Sequence, residues 1–251
     1  MTEIPELLRN ALKHASMVTA FTGAGISAES GVPTFRSAGG LWKKMRPEEL
    51  ASMEGFLRNP ALVWEWYAER KRIIADVQPN PGHRALAQMQ DLFPRFAVVT
   101  QNIDNLHRRA GSRVVHELHG NIERNYCMAC GRNYSNEAVL AMEGVPLCTD
   151  CRGQIRPDVV WFGESLPGDE WEAGVHAAEY ADVFFSIGTS AVVYPAASLP
   201  VMARRAGALL VEVNPEPTPL TPDVDVFLQG AAGEVMPAVY ECAVRERKDK
   251  R

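Results

Sequence analysis

The residues with the most obvious capacity for chemistry fall into three groups. The first is a pair of Cys-x-x-Cys turns, Cys127-Met128-Ala129-Cys130 and Cys148-Thr149-Asp150-Cys151, separated by residues 131–147. Each turn presents two thiolates to one side of a metal, and two turns complete the four-sulfur shell of a tetrahedral zinc. Such a shell leaves no open coordination position, so one structural zinc on Cys127, Cys130, Cys148 and Cys151 is expected. Unrelated thiols or a redox pair are the competing readings, and the presence of both pairs at this separation favours zinc.

The second group is the glycine turn Gly23-Ala24-Gly25-Ile26-Ser27-Ala28, which fits the loose G-x-G-x-x-G/A dinucleotide fingerprint after a strand. Glycines there let backbone N–H groups approach a pyrophosphate. Alone, the turn reads equally well as an ordinary strand-to-helix connection. A hydride-transfer enzyme is disfavoured, because no acidic ribose ligand ends an evident second strand. The third group is Thr100-Gln101-Asn102-Ile103-Asp104-Asn105-Leu106-His107, followed by His119-Gly120. Amides and a carboxylate just after a strand can bind an amide-bearing ligand and a sugar, although helix capping by Asn102 or Asp104 competes. His119 ends another predicted strand, and imidazole is suited to general-base work near neutral pH. His14, His83, His107, His116 and His176 are assigned structural roles.

Positioning these groups requires a framework, and the hydrophobic pattern supplies one. Ile4 to Ser16 has helical period, Met17 to Phe21 reads as a buried strand, and Ser27 to Gly40 reads as a long loop. Helices are expected at Pro60 to Val77 and Gly82 to Leu92, with strands at Phe96 to Thr100 and Val114 to Leu118. Residues 121–155 read as an inserted module. Beyond it come strands at Val183 to Ile187, Ala208 to Val213 and Val224 to Leu228, and helices at Pro195 to Ala206 and Gly233 to Val244. Strands alternating with helices predict an α/β protein with a parallel sheet covered by helices on both faces.

Composition narrows the setting. The 251 residues are 46% hydrophobic and 23% charged, which excludes a disordered or fibrous chain. A net charge of -5 gives no broad footprint for nucleic acid or anionic lipid. The basic run Arg245 to Arg251 reads as a solvated terminus. No secretory signal is evident, and the apolar stretch Ala191 to Ala203 is broken by Pro195, Ser198 and Pro200 and falls short of the ~20 residues of a membrane span. Four of the five cysteines belong to the paired turns, which points to a reducing compartment, while Cys242 reads as a buried apolar thiol. A cytoplasmic protein without nucleic-acid or membrane partners is expected.

Taken in order along the chain, the motifs resemble the sirtuin family of NAD-dependent protein lysine deacylases. The matching stretches are Gly23 to Arg36, Gln101-Asn102-Ile103-Asp104, His119-Gly120, the four cysteines, Pro157 to Glu164, Gly188-Thr189-Ser190 and Val213-Asn214. The resemblance implies a Rossmann-like domain of residues 1–36, 78–120 and 156–251. It also implies a small domain made of a helical module, 37–77, and a zinc-ribbon module, 121–155. NAD, as co-substrate, and an acyl-lysine protein or peptide meet between them. The implied NAD-binding residues are Gly23, Ala24, Gly25, Ala28, Phe35, Arg36, Trp42, Gln101, Asn102, Ile103, Asp104, Gly188, Thr189, Ser190, Asn214 and Ala232, with His119 and Asn102 catalytic. Peptide is implied to add as a strand between Gly163-Glu164 and Val192-Val193-Tyr194, with Val160, Phe162 and Val193 among its contacts. The implied reaction releases nicotinamide, passes through an imidate-linked intermediate with His119 as base, and yields free lysine and O-acyl-ADP-ribose.

Tyr67-Ala68-Glu69-Arg70 bears on the acyl group. Residues three apart share a helix face, so a phenol and a guanidinium can point into one pocket and grip a carboxylate. The pair resembles the desuccinylase and demalonylase branch of the family, with Ala51 where that branch keeps a small residue. Succinyl and malonyl removal, with acetyl removal alongside, is the resulting expectation. A surface Arg70 paired with Glu65 or Glu69 is its competitor. A sirtuin acting mainly as a deacetylase, and a protein ADP-ribosyltransferase, are the alternatives for the whole chain.

Overall fold

The computed structural model describes residues 3–33 and 50–248. Six strands form one parallel sheet: β1 (Met17–Thr22), β2 (Arg95–Thr100), β3 (Val115–Glu117), β7 (Val183–Ile187), β8 (Leu209–Asn214) and β9 (Val226–Gln229), in the order β3-β2-β1-β7-β8-β9. All residues of β1 and β7 are buried, as expected for strands covered on both faces, where apolar runs replace alternation. The chain builds outward from β1 to one side and from β7 to the other. That leaves a switch point between them, where an open α/β sheet binds ligands beyond its carboxyl ends.

One face carries α1 (Glu6–His14), α5 (Pro81–Met89) and α10 (Ala232–Lys248), which bury Leu8, Leu12, Leu86, Met89, Met236 and Val239 in a core with Val18, Val98 and Phe185. The other face carries α8 (Gly168–Glu179) and α9 (Leu199–Arg205) over Phe21, Val99, Phe184 and Leu210. α8 escapes a reading by hydrophobic period because its buried residues, Gly174, Ala177 and Ala178, are small. They must be: a Cβ on Gly174 would lie 3.3 Å from Val99 Cγ1.

A third core unites α3 (Met53–Arg58) and α4 (Pro60–Asp76) with the antiparallel sheet β5-β4-β6 (Asn133–Tyr134, Gly120–Cys127, Ile155–Val159), beside the short helix α7 (Asn136–Leu140). Phe56, Trp64, Tyr67, Ile122, Ile155 and Trp161 fill it. Asn59 caps α4 with Pro60 at the first turn, and Asn80 caps α5 with Pro81 in the same way, so both helix starts follow from local sequence. Polar ties cross this core. Trp64 Nε1 donates to the Ile155 carbonyl at 3.0 Å. The buried Lys71 donates to the Ile122 carbonyl and to Asn136 Oδ1, and burial pushes its pKa down to about 7.

Three expectations need correction. Ser27 and Ala28, expected to open the long loop Ser27 to Gly40, instead belong to a single helical turn, α2 (Gly25–Ala28), because the glycine-rich turn feeds straight into it. The helix expected at Pro195 to Ala206 opens as a 3-10 turn, Ala196–Ser198, and becomes α-helical at Leu199, with Pro200 inside its first turn. The basic C-terminal run is not simply solvated: α10 continues to Lys248, and Arg247 donates to the Leu12 and Ala15 carbonyls while lying over the Phe93 ring at 4.6 Å. Cys242 is buried as expected. No described helix is long and apolar enough to cross a membrane.

Candidate functional site

Strands β1, β2 and β7 end level with one another, pairing Thr22 with Thr100 and with Ile187. The loops that follow therefore converge. Gly25 N donates to the Gly188 carbonyl at 2.7 Å, and Gly23 N to the Ile187 carbonyl at 3.1 Å. No side chain fits here. A Cβ on Gly23 would lie 2.7 Å from Thr189 Cβ, and one on Gly188, whose φ is +58°, would lie 2.4 Å from Ile26 N. The result is a bare-backbone cradle at the switch point, open to an anionic ligand.

The segment after β2 lines this cradle. Asn102 Nδ2 donates to the Gly23 carbonyl at 3.0 Å and to Ser27 Oγ at 3.3 Å, while Ser27 Oγ donates to Asp104 Oδ2 at 2.7 Å. Gln101 Nε2 reaches Thr189 Oγ1 at 2.9 Å, joining the β2 and β7 loops. Asn214, at the end of β8, donates to the Thr189 carbonyl at 3.0 Å and to Glu212 Oε1 at 3.2 Å. Burial raises the Asp104 pKa above its usual carboxylate range, opposed by hydrogen bonds from Leu106 N and Ser27 and by the charges of Arg109 and Arg70. Ile103 turns the other way, against the third core, where its carbonyl accepts from Ile122 N. Ala24 and Ala28 stand beside the cradle, Ser190 follows Thr189, and Ala232, the first residue of α10, is buried with its carbonyl against Gly82. Phe35, Arg36 and Trp42 lie outside the described residues.

His119 stands where this segment meets the third core. Its Nδ1 lies 2.9 Å from the Gln101 carbonyl, which can only accept. Nδ1 therefore carries the ring hydrogen, and Nε2 keeps a lone pair. Burial lowers the imidazole pKa, and the Gln101 hydrogen bond partly offsets that shift. The backbone at Gly120 is fixed by a φ of +78° and by Asp158, whose carbonyl oxygen would sit 2.2 Å from any Cβ there.

Sequence reasoning passed over a layer of polar groups beneath the cradle. Thr22 Oγ1 donates to Thr100 Oγ1 at 2.8 Å, so His107 Nε2, also 2.8 Å from Thr22 Oγ1, must be the donor to it. Thr100 Oγ1 in turn accepts from Asn102 N at 3.0 Å. His83 packs on His107 with ring centroids 4.9 Å apart and lies 3.4 Å from Ser27 Oγ. Both Nδ1 atoms are buried without a hydrogen-bond partner among the described residues. Burial holds His83 down to about 4 and His107 well below its usual value, so both rings are neutral near pH 7. The hint in the sequence was two threonines ending predicted strands, Thr22 and Thr100, each next to a group already singled out.

The other wall comes from α4 and the segment after β6. Tyr67 and Arg70 are both buried, at 1% and 9% exposure. The Tyr67 hydroxyl accepts from Trp161 Nε1 at 2.8 Å, and its own hydrogen finds no acceptor among the described residues. Burial pushes its pKa up to about 12. Arg70 lies over the Trp66 ring at 4.7 Å with Nε unpartnered among the described residues, and it pairs with neither Glu65 nor Glu69. Burial lowers its pKa, partly countered by Tyr67 and Asp104. Ala51 meets the same wall, its carbonyl accepting from Phe162 N at 2.8 Å. Phe162 and Val193 are exposed, at 51% and 43%. Val160 N donates to the His119 carbonyl. Gly163 has a φ of +85°. The Glu164 carboxylate is held by Arg156 at 2.6 and 2.9 Å and by Trp161 N at 2.8 Å, and its backbone N–H donates to the Trp161 carbonyl at 3.0 Å.

The ligand atoms of Cys127, Cys130, Cys148 and Cys151 lie within 4.8 Å of one another, and none of the four is in a disulfide. Gly153 makes room for them: a Cβ there would lie 3.0 Å from Cys127 Sγ. Tyr134 donates its hydroxyl to Cys148 Sγ at 3.1 Å. Four thiols at this spacing, in a ribbon away from the cradle, fit one structural zinc.

A six-stranded parallel sheet with a glycine cradle at its switch point defines a dinucleotide-binding α/β protein. The chain belongs to the Sir2 family, the sirtuins, whose pattern matches residues 23–195. It is similar to "NAD-dependent protein deacylase 2" of Pyrobaculum aerophilum, 55% identical over 221 residues and 88% of each chain. It is also similar to the NAD-dependent protein deacylase of Aquifex aeolicus, 50% identical over 92% of this chain and 96% of that one. Among solved structures it resembles a Sir2 homologue–NAD complex, with a TM-score of 0.91, 43% identity, and coverage of 100% of this chain and 96% of the other. A Sir2–p53 peptide–NAD+ complex matches with a TM-score of 0.86 and 35% identity, covering 95% and 98% of the two chains.

Elemental analysis of the purified protein should find one zinc per chain. Cys148→Ser should release it and lower the thermal midpoint by about 10 °C or more, since metal binding to such a ribbon is folding free energy. A metal-free wild-type protein with an unchanged midpoint would contradict the assignment.

Proposed function

We propose that this chain is an NAD-dependent protein lysine deacylase that removes succinyl and malonyl groups, and acetyl groups alongside, to give nicotinamide, free lysine and O-acyl-ADP-ribose. The names of its Pyrobaculum and Aquifex relatives support the deacylase reading. One observation carries the acyl preference: Tyr67 and Arg70, one helical turn apart on α4, present two buried donors, the Tyr67 hydroxyl and Arg70 Nε, with no acceptor among the described residues. An unmatched buried donor costs about 1–3 kcal/mol, so a site built this way favours a ligand that brings an acceptor. A terminal carboxylate is acceptor-only and matches both. A mainly deacetylating enzyme is the second reading, supported by a structural relative described as a deacetylated p53 peptide with 3'-O-acetyl ADP-ribose.

In this reading NAD and acyl-lysine meet between a Rossmann-like domain (residues 1–36, 78–120 and 156–251) and a small domain (37–77 and 121–155). Bound NAD supplies the ribose carbon that takes up the acyl oxygen as nicotinamide leaves. Gly23, Ala24, Gly25 and Ala28 admit the phosphates and ribose to bare backbone, with Phe35, Arg36 and Trp42 completing that side. Gln101, Asn102, Ile103 and Asp104 orient the ribose and the nicotinamide amide, while Gly188, Thr189, Ser190, Asn214 and Ala232 hold the adenosine side. His119 Nε2, bearing the lone pair, takes a proton from a ribose hydroxyl, and the Gln101 carbonyl steadies the resulting imidazolium through Nδ1. Peptide lies along the backbone of Gly163 and Glu164 and past Val193, with Val160 and Phe162 lining the entry and Ala51 leaving width beneath.

Arg70→Met should lower kcat/KM for a succinyl-lysine peptide about 10- to 100-fold, the size of a lost charge-assisted hydrogen bond, and should lower it far less for the acetyl version. Equal losses on both peptides would refute the carboxylate clamp. The lowered His119 pKa also fixes the acid limb of the pH profile. Its base form persists below the ordinary 6.5, so kcat/KM should fall only as pH drops through a midpoint under that value. A midpoint above it would argue against His119 as the base.

A further inference from the structure

We propose that Trp161 is a positioning residue for acyl selection: its indole N–H occupies the acceptor side of the Tyr67 hydroxyl and leaves that hydroxyl only a hydrogen to give. This rests on the carboxylate-pocket reading above and adds a residue whose side chain does not itself reach the acyl group.

A phenol carries one O–H donor and an oxygen that also accepts. A free tyrosine in a pocket can therefore satisfy either a donor or an acceptor, and discriminates poorly between them. Here the oxygen already accepts from Trp161 Nε1 at 2.8 Å, in a contact where both residues are 1% exposed. Among the described residues nothing accepts the remaining hydrogen. Accepting one hydrogen bond also polarises the O–H and strengthens the next bond it donates. The Tyr67 pKa of about 12 keeps that hydrogen in place across the neutral range.

The indole can do this because it is held from three sides. Arg156 stacks on its face, with Cζ 3.5 Å from the ring centroid. Glu164 grips Arg156 through both carboxylate oxygens and also accepts from Trp161 N. Phe56 packs against the ring with centroids 5.1 Å apart. Glu164 belongs to the segment proposed to receive the peptide, so one chain of contacts runs from the peptide backbone through Arg156 and Trp161 to Tyr67. A phenylalanine at position 161 would fill much of the same space but could not donate. Tyr67 would then regain its acceptor capacity, and its hydroxyl could turn toward water or a donor-bearing acyl group.

The test is a double-mutant cycle on the intact zinc-loaded protein, measuring succinyl- and acetyl-lysine versions of one peptide with saturating NAD. Trp161→Phe should lower the succinyl-to-acetyl ratio of kcat/KM about fivefold, chiefly through KM for the succinyl peptide. In the Tyr67→Phe background the same change should leave the ratio unmoved, because no hydroxyl remains to orient. Equal losses on both peptides, or the same selective loss without the Tyr67 hydroxyl, would overturn the proposal. If Tyr67→Phe and Arg70→Met themselves leave the ratio untouched, the pocket reading fails and the role of Trp161 fails with it. Zinc content and the thermal midpoint, read on each variant, separate these outcomes from misfolding.

Discussion

Gly25 and Gly188 meet backbone to backbone, N to O at 2.7 Å, where the β1 and β7 loops leave the sheet. The contact tolerates no Cβ on either side. Because strands β1, β2 and β7 end in register, these loops close on each other through backbone alone, with no room for a side chain at Gly23, Gly25 or Gly188. The closure also brings Asn102 onto the Gly23 carbonyl and Gln101 onto Thr189. The polar layer below, from His107 through Thr22 and Thr100 to Asn102 N, holds the segment after β2 to the end of β1. A dinucleotide site follows from that closure, and the rest of the molecule is arranged around it.

The second wall depends on a different kind of glue. The helical segment α3–α4 and the ribbon share one apolar core, laced by Trp64 to Ile155 and by the buried Lys71 to Ile122 and Asn136. Neither part is large enough to bury that core alone, and the four-thiol cluster stiffens the ribbon side. In the proposed acyl-carboxylate pocket, rigidity here matters because the donors of Tyr67 and Arg70 are worth most to a carboxylate when they cannot relax toward one another or toward solvent.

Much of this was legible in the sequence, for identifiable reasons. The strands Met17 to Phe21 and Val183 to Ile187 are unbroken apolar runs, and Asn59-Pro60 and Asn80-Pro81 announce helix starts. The cysteine spacing needed no structure. Less legible were elements whose cores are made of small residues, as in α8, where close packing on the sheet replaces hydrophobic period. The hydrogen-bonded layer around the buried histidines is not legible from residue type. His107 was rightly assigned a structural place, but its link to Asn102 passes through two threonine hydroxyls that lie far apart in sequence. Arg247 looked like part of a solvated run, and only the fold shows it clamping the end of α1. Tyr67 and Arg70 could be paired by helical spacing, but their burial, and the absence of an acceptor for the Tyr67 hydroxyl or Arg70 Nε among the described residues, required the tertiary structure.

In the proposed function, a glycine-cradled NAD site works beside a pocket that takes an acyl carboxylate. Nicotinamide release from NAD, measured with succinyl-lysine and acetyl-lysine versions of a single peptide and with product masses read in parallel, tests it directly. The account predicts faster turnover of the succinyl peptide with formation of O-succinyl-ADP-ribose, and slower but real turnover of the acetyl peptide. Turnover of the acetyl peptide alone would contradict the acidic pocket and return Tyr67 and Arg70 to the structural core, and ADP-ribose attached to protein would contradict the deacylase chemistry itself.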